Sequence, residues 1–182
     1  MFLVFCGVVA LGKRIAAGDR TQFQLLRGYA SDSRWRIREA VAIALQYVGD
    51  GDMQLLLREM RKWRQGNWYE KRAAAAGLAE PRLLRTPAAA GAVLRIMDLI
   101  TSSMVGAGDR STKAFRTLRQ GMGYCWSVAI AAHPGAGKPY MAKWMKSSDP
   151  DVRWILKENL KKNRLARMDS HWVKSCLALL DR

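Results

Sequence analysis

The sequence predicts an all-α fold in which helical pairs stack on one another as an α-solenoid, and three observations predict it. Apolar residues recur at helical spacing along nearly the whole chain, and no run alternates apolar and polar as a half-buried strand would. Turn and cap chemistry punctuates the helical runs at short intervals, at Ser31-Asp32-Ser33, Gly49-Asp50-Gly51-Asp52, Gln65-Gly66-Asn67, Glu80-Pro81, Thr86-Pro87 and Asp149-Pro150-Asp151. Finally, one helix pattern repeats. Residues 37–45 (IREAVAIAL) run parallel to 70–78 (EKRAAAAGL) and 152–160 (VRWILKENL), and more loosely to 124–132. The second position is basic in three copies, Arg38, Lys71 and Arg153, and is Cys125 in the fourth. Helices that bury one face only by stacking on a neighbour are the unit of a repeat protein.

The elements follow in order. Residues 1–12 (MFLVFCGVVALG) predict a buried first helix ending near Gly12 to Gly18. This run is shorter than the ~20 apolar residues that span a bilayer. It also lacks the basic start of a signal peptide, since Lys13 and Arg14 follow it. The abrupt apolar start further suggests a chain cut from a larger parent. Residues 21–30 form a short amphipathic helix with Phe23 and Leu26 inward, and 35–48 a second with Ile37, Val41, Ala44, Leu45 and Val48 on one face. Residues 53–63 present Leu56, Met60 and Trp63, and the alanine-rich run 68–79 is their partner. Thr86-Pro87 opens a helix to about Thr101. Residues 104–112, with Gly106-Ala107-Gly108-Asp109, are the longest expected loop. Helices over 113–120, 124–132, 140–146, 151–163 and 170–180 complete about five pairs in one domain, 1–182.

Charge sets the expected partner. The 182 residues carry 31 Lys and Arg against 15 Asp and Glu, a formal +16. Such a surplus favours polyanions, nucleic acid first and anionic membrane second; with no spanning segment, no membrane partner is expected. Cys6, Cys125 and Cys176 are far apart and form no CxxC pair, and His133 and His171 lack metal-ligand spacing. Neither a metal site nor a disulfide framework is expected, no cofactor is implied, and reduced thiols point to the cytoplasm. Gly135-Ala136-Gly137-Lys138-Pro139 fails as a phosphate loop, because Pro139 stands where Ser or Thr is needed and Ala132 where the first glycine belongs. It reads as a turn, and most of the seven tryptophans read as core.

The stretch 149–165 (DPDVRWILKENLKKNRL) is the strongest single element. Val152, Leu156 and Leu160 make an apolar stripe, while Arg153, Lys157, Lys161 and Arg164, with Lys162 nearby, make a cationic one beside Trp154. The basic stripe suits phosphates, with Arg38 and Lys71 as further candidates on the equivalent repeat helices. Arg38 and Arg153 also suit pairing with carboxylates or carbonyls of a neighbouring repeat.

A turn with Asp followed by Val-Arg and an Ala/Leu-rich helix resembles HEAT repeats, a right-handed α-α superhelix of the armadillo type. More narrowly, Trp35 and Trp68 ahead of repeat helices, the run Trp154-Ile155-Leu156-Lys157-Glu158 and Trp172-Val173 resemble the bacterial HEAT-like family related to AlkD-type DNA alkylation repair proteins. The chain is expected to be a monomer, and that resemblance implies binding of duplex DNA. It also implies, for glycosylase members, tryptophans and an aspartate in a concave cleft, the indoles attracting a cationic base and the carboxylate stabilising charge on the sugar. The matching helix here is Tyr124-Cys125-Trp126-Ser127-Val128-Ala129, with Ala129 where the carboxylate would stand; Trp154 fits the family's C-terminal tryptophan motif as a base-facing residue. The leading expectation is binding of duplex nucleic acid without catalysis. The alternatives are a protein-interaction scaffold with an acidic partner and an alkylpurine DNA glycosylase.

Overall fold

The computed structural model describes residues 2–181 and contains no strand among them. The chain forms α1 (Phe2–Ala16), α2 (Gln22–Tyr29), α3 (Trp35–Gly51), α4 (Met53–Trp63), α5 (Trp68–Leu78), a 3-10 turn (Pro81–Leu83), α6 (Pro87–Met104), α7 (Lys113–Ala132), α8 (Pro134–Met145), α9 (Pro150–Leu160), α10 (Asn163–Met168) and α11 (Ser170–Leu180). The fold class is all-α.

The helices pack in two layers. In one, α1, α3, α5, α7, α9 and α11 each lie against the next. In the other, α4 packs on α6 and α6 on α8, with α2 against α1 and α3 at one end. Side chains between the layers form a continuous core in which Trp63, Trp126, Phe115, Leu45, Leu56 and Met60 are fully buried. The caps explain where most helices begin. Asp52, Asn67, Thr86, Thr112, Asp149 and Asp169 each accept from a backbone N–H in the first turn that follows, at 2.9–3.2 Å. Each supplies a partner that the helix itself cannot provide.

Four expectations from the sequence are corrected. α1 ends at Ala16, within the expected Gly12 to Gly18, but it is not buried: only Val8, Gly12 and Ile15 are, while Phe2 and Leu3 are 76% and 83% exposed. The segments 113–120 and 124–132 are one helix, α7, running straight through Gly121-Met122-Gly123. Those glycines sit in close contact with neighbours rather than in a turn. A Cβ at Gly121 would stand 3.3 Å from Arg72 Cγ, and one at Gly123 3.1 Å from the Trp154 ring. The glycine run after His133 lies inside α8, where Gly137 packs against the Ile130 backbone. Conversely, 151–163 is not one helix: α9 stops at Leu160 and α10 starts at Asn163. Of the seven tryptophans, Trp63, Trp126 and Trp144 are buried; Trp68, Trp154 and Trp172 are half-buried and Trp35 is exposed.

α1 lies close against α3, where a Cβ on Gly12 would overlap the carbonyl of Ala44. Backbone cannot yield as a flexible side chain does, so Gly12→Ala is expected to lower the unfolding free energy by about 2 kcal/mol or more. Gly7, on the same helix with open space around it, is the control. Gly7→Ala should leave stability unchanged or raise it by up to about 1 kcal/mol through helix propensity. Urea denaturation of both variants measures the difference.

The expected loop 104–112 is pinned to α9. Arg110 donates to Asp149 and, at 2.7 Å, to Asp151, and Arg119 of α7 pairs with Asp151 at 2.7 Å. Burial pushes the Asp149 carboxyl up, but hydrogen bonds from Arg110 and the Val152 N–H outweigh it and hold the pKa below the usual carboxylate value. A lowered folded pKa means the clasp contributes fully above the unfolded value and is lost only as pH falls through the folded one.

Candidate nucleic-acid interface

The acidic residues are fully employed inside the protein. Thirteen of the fifteen form ion pairs with Lys or Arg. Of the other two, Asp52 caps α4 and Asp109 accepts the Trp68 indole N–H at 2.6 Å. The surplus cations therefore have no internal counter-charge, and their placement decides where a polyanion would sit.

The sequence-chosen residues divide. Arg38 is 5% exposed and donates to the carbonyls of Asp32 (2.6 Å) and Ser33 (3.1 Å), its guanidinium 4.9 Å from the Tyr69 ring centroid. It closes the α2–α3 turn and does not reach the surface. Arg153 donates to the Leu180 carbonyl at 2.5 Å, satisfying the end of α11. Lys71 lies 4.1 Å from the Trp68 ring centroid, and its pKa is lowered by burial, with the charge of Asp109 opposing. Lys157 pairs with Asp181 at 2.6 Å and Lys161 with Glu158 at 2.5 Å. The Lys161 hydrogen bond holds Glu158 below its usual pKa. Trp154 is half-buried between α7 and α9, with the Arg119 guanidinium 3.8 Å from its ring centroid and its edge on Gly123. One face of that ring is thus covered by a cation of the protein itself.

Of the sequence-chosen cations, Lys161, Lys162 and Arg164 come together at the α9–α10 junction. The break after Leu160 turns the chain so that Lys161, Lys162, Asn163, Arg164 and Arg167 line one open depression. Lys162 and Arg167 form no ion pair among the described residues. Arg164 reaches across to α7, its guanidinium 4.5 Å from the Tyr124 ring centroid and donating to the Tyr124 hydroxyl at 2.5 Å. Tyr124, 43% exposed, in turn lines a groove of about 320 Å³ running over α3, α5 and α7. Its floor is small, with Ala42, Ala76 and Gly121, and its polar wall is the ion pair of Glu39 with Arg72. Arg72 also donates to the Arg38 carbonyl at 3.1 Å. One face of the α3–α5–α7–α9 layer thus carries a groove that ends in a cationic depression, joined by the Tyr124–Arg164 contact.

No local pattern marks Tyr124 as the hinge between these parts, because its partner lies 40 residues away. Arg167 stands three residues after Arg164, and the basic run 161–167 is the signal that points to it. The helix matched to the glycosylase motif is largely core: Trp126 is 1% exposed and donates to Thr101 at 3.1 Å, and Ala129 is fully buried. Cys125 borders the groove, but burial pushes its thiol up to about 12, which leaves no thiolate for nucleophilic chemistry at neutral pH. No cluster that would hold a metal ion occurs among the described residues, and no helix among them is long and apolar enough to cross a membrane. Comparison of the chain with protein-family models, with curated proteins and with solved structures returned no match.

Proposed function

We propose that this chain is a HEAT-like, right-handed α-solenoid that binds duplex nucleic acid, DNA foremost, through the face carrying Lys161, Lys162, Arg164 and Arg167, as a monomer and without catalysis. The solenoid reading is supported by the ordered stacking of each layer, helix upon next-but-one helix. The binding reading is carried by one observation: the acids are consumed in internal contacts while Lys162 and Arg167 stand without a counter-charge beside the open depression. Phosphates supply that counter-charge, and each contact releases condensed cations from the duplex. Three free cysteines agree with a reducing, cytoplasmic setting. The kinship with AlkD-type alkylation repair proteins belongs to the same proposal, restricted to binding, since no carboxylate stands at Ala129.

The test is a gel-shift titration with plain and alkylated duplexes at two salt concentrations, assayed in parallel for base release. The expected result is similar affinity for both duplexes, no released base, and a fall of about tenfold or more in affinity between ~50 and ~200 mM salt. Absence of binding at low salt, or salt-insensitive capture of an acidic protein instead, overturns the proposal in favour of an interaction scaffold. Release of alkylated base would make the chain a glycosylase.

A further inference from the structure

The opposite layer carries a second cationic surface. Between α2 and α4 runs an open groove of about 570 Å³ whose lining includes Arg20, Arg27, Arg58 and Lys62, against a single acid, Glu59. Glu59 is taken by Lys62 at 2.6 Å, and Arg27 is taken by Glu70 at 2.7 Å. Arg20 and Arg58 face solvent on the two walls with no ion pair among the described residues. Thr21 and Gln24 add uncharged hydrogen-bonding groups. The floor is Phe23, Leu55 and Trp63, which are 8%, 6% and 1% exposed. No ring face is therefore open for a base to stack on, and the groove offers charge and hydrogen bonds alone. On α4, Arg58 and Lys62 stand one turn apart, about 6 Å along the axis, so the wall presents its charges in a row.

This groove does not belong to the site on the other layer. The residues of α3 that line the Tyr124 groove are Glu39, Ala42, Ile43 and Gln46, whereas Ile37, Val41, Leu45 and Val48 are buried in the core that separates the layers. We infer that the α2–α4 groove binds the phosphate backbone of a second nucleic-acid segment, so that one molecule holds two duplexes on opposite faces. The inference rests on the proposed function for the first face. Its recognition is expected to be independent of base sequence, because the charged groups that dominate its walls go to phosphate, which carries no sequence information.

The experiment uses a biotin-labelled duplex on beads, a fluorescent duplex without biotin, and the full chain. Parent protein should be retained on the beads and should carry fluorescent duplex with it. Arg20→Glu/Arg58→Glu should still be retained but lose fluorescent duplex by more than fivefold, with an unchanged melting temperature. Arg20→Gln/Arg58→Gln should lose less, since it adds no repulsion. If parent is retained without carrying a second duplex, this inference alone fails. If the Glu variant bridges as well as parent, it also fails, because bridging would then come from self-association. Failure of parent to bind the beads at all removes both this inference and the reading of the first face. If the Glu variant loses sedimentation with phosphatidylserine vesicles but keeps bridging, the groove belongs to a membrane surface and the inference is overturned.

Discussion

Lys162→Glu/Arg167→Glu should weaken duplex binding by well over tenfold at ~50 mM salt. Neither residue forms an ion pair among the described residues, and both line the depression where the cationic run 161–167 is exposed. Reversal removes two cations that would neutralise phosphates and adds two repulsive charges. The slope of log affinity against log salt should become shallower by about 2, roughly 1 for each phosphate no longer neutralised. Lys157→Glu should do less, because that ammonium is held by Asp181 at 2.6 Å on the far side of α9 from Val152 and Leu156. Folding should survive in each, since exposed substitutions of this kind change stability by about 0.5 kcal/mol. A double variant that binds as well as parent, with an unchanged melting temperature, would show the depression to be a solvated surface and nothing more.

The contrast between those lysines shows what the sequence can and cannot convey. Helix class and most helix starts are legible, because caps such as Asn67, Thr86 and Asp149 act on residues two or three positions away. The α9–α10 break is not. Nothing between Leu160 and Asn163 is glycine or proline, and the i, i+4 spacing of Arg153, Lys157 and Lys161 continues smoothly into it. Only the packing against α7 reveals that Arg164 has left the stripe for Tyr124. The reverse error falls on Gly121-Met122-Gly123, which reads as a helix break locally and is in fact a notch for Arg72 and Trp154. α1 misleads for a third reason. Its apolar composition suits burial, and whether a neighbour covers it is a property of packing that composition does not encode.

Asn159→Leu should cost about 3 kcal/mol or more of unfolding free energy, although the side chains are close in volume. The Asn159 carboxamide is fully buried and fastens α9 to the middle of α7. It accepts from the Ser127 N–H at 2.7 Å and donates to the Met122 and Ile155 carbonyls at 2.8 Å each. Leucine would remove all three hydrogen bonds from a fully buried site, each worth about 0.5–1.5 kcal/mol net. Asn159→Asp separates hydrogen bonding from shape. An ionised carboxylate still accepts from Ser127 but meets the Met122 carbonyl with like polarity, and an unpaired buried charge costs about 3–5 kcal/mol. The new carboxyl will therefore titrate above its unfolded value of about 3.9. With a raised folded pKa, its stability is fully present below the unfolded value and is lost as pH rises through the folded one. The deficit of Asn159→Asp against parent should thus shrink as pH is lowered from 7 to 5, where the protonated carboxyl again donates to Met122. Over that range the Arg110–Asp149 clasp stays ionised in both proteins, because Asp149 is held below the ordinary carboxylate value. Urea midpoints at the two pH values measure it. An equal deficit at both would mean that Asn159 acts through its shape and not through its hydrogen bonds.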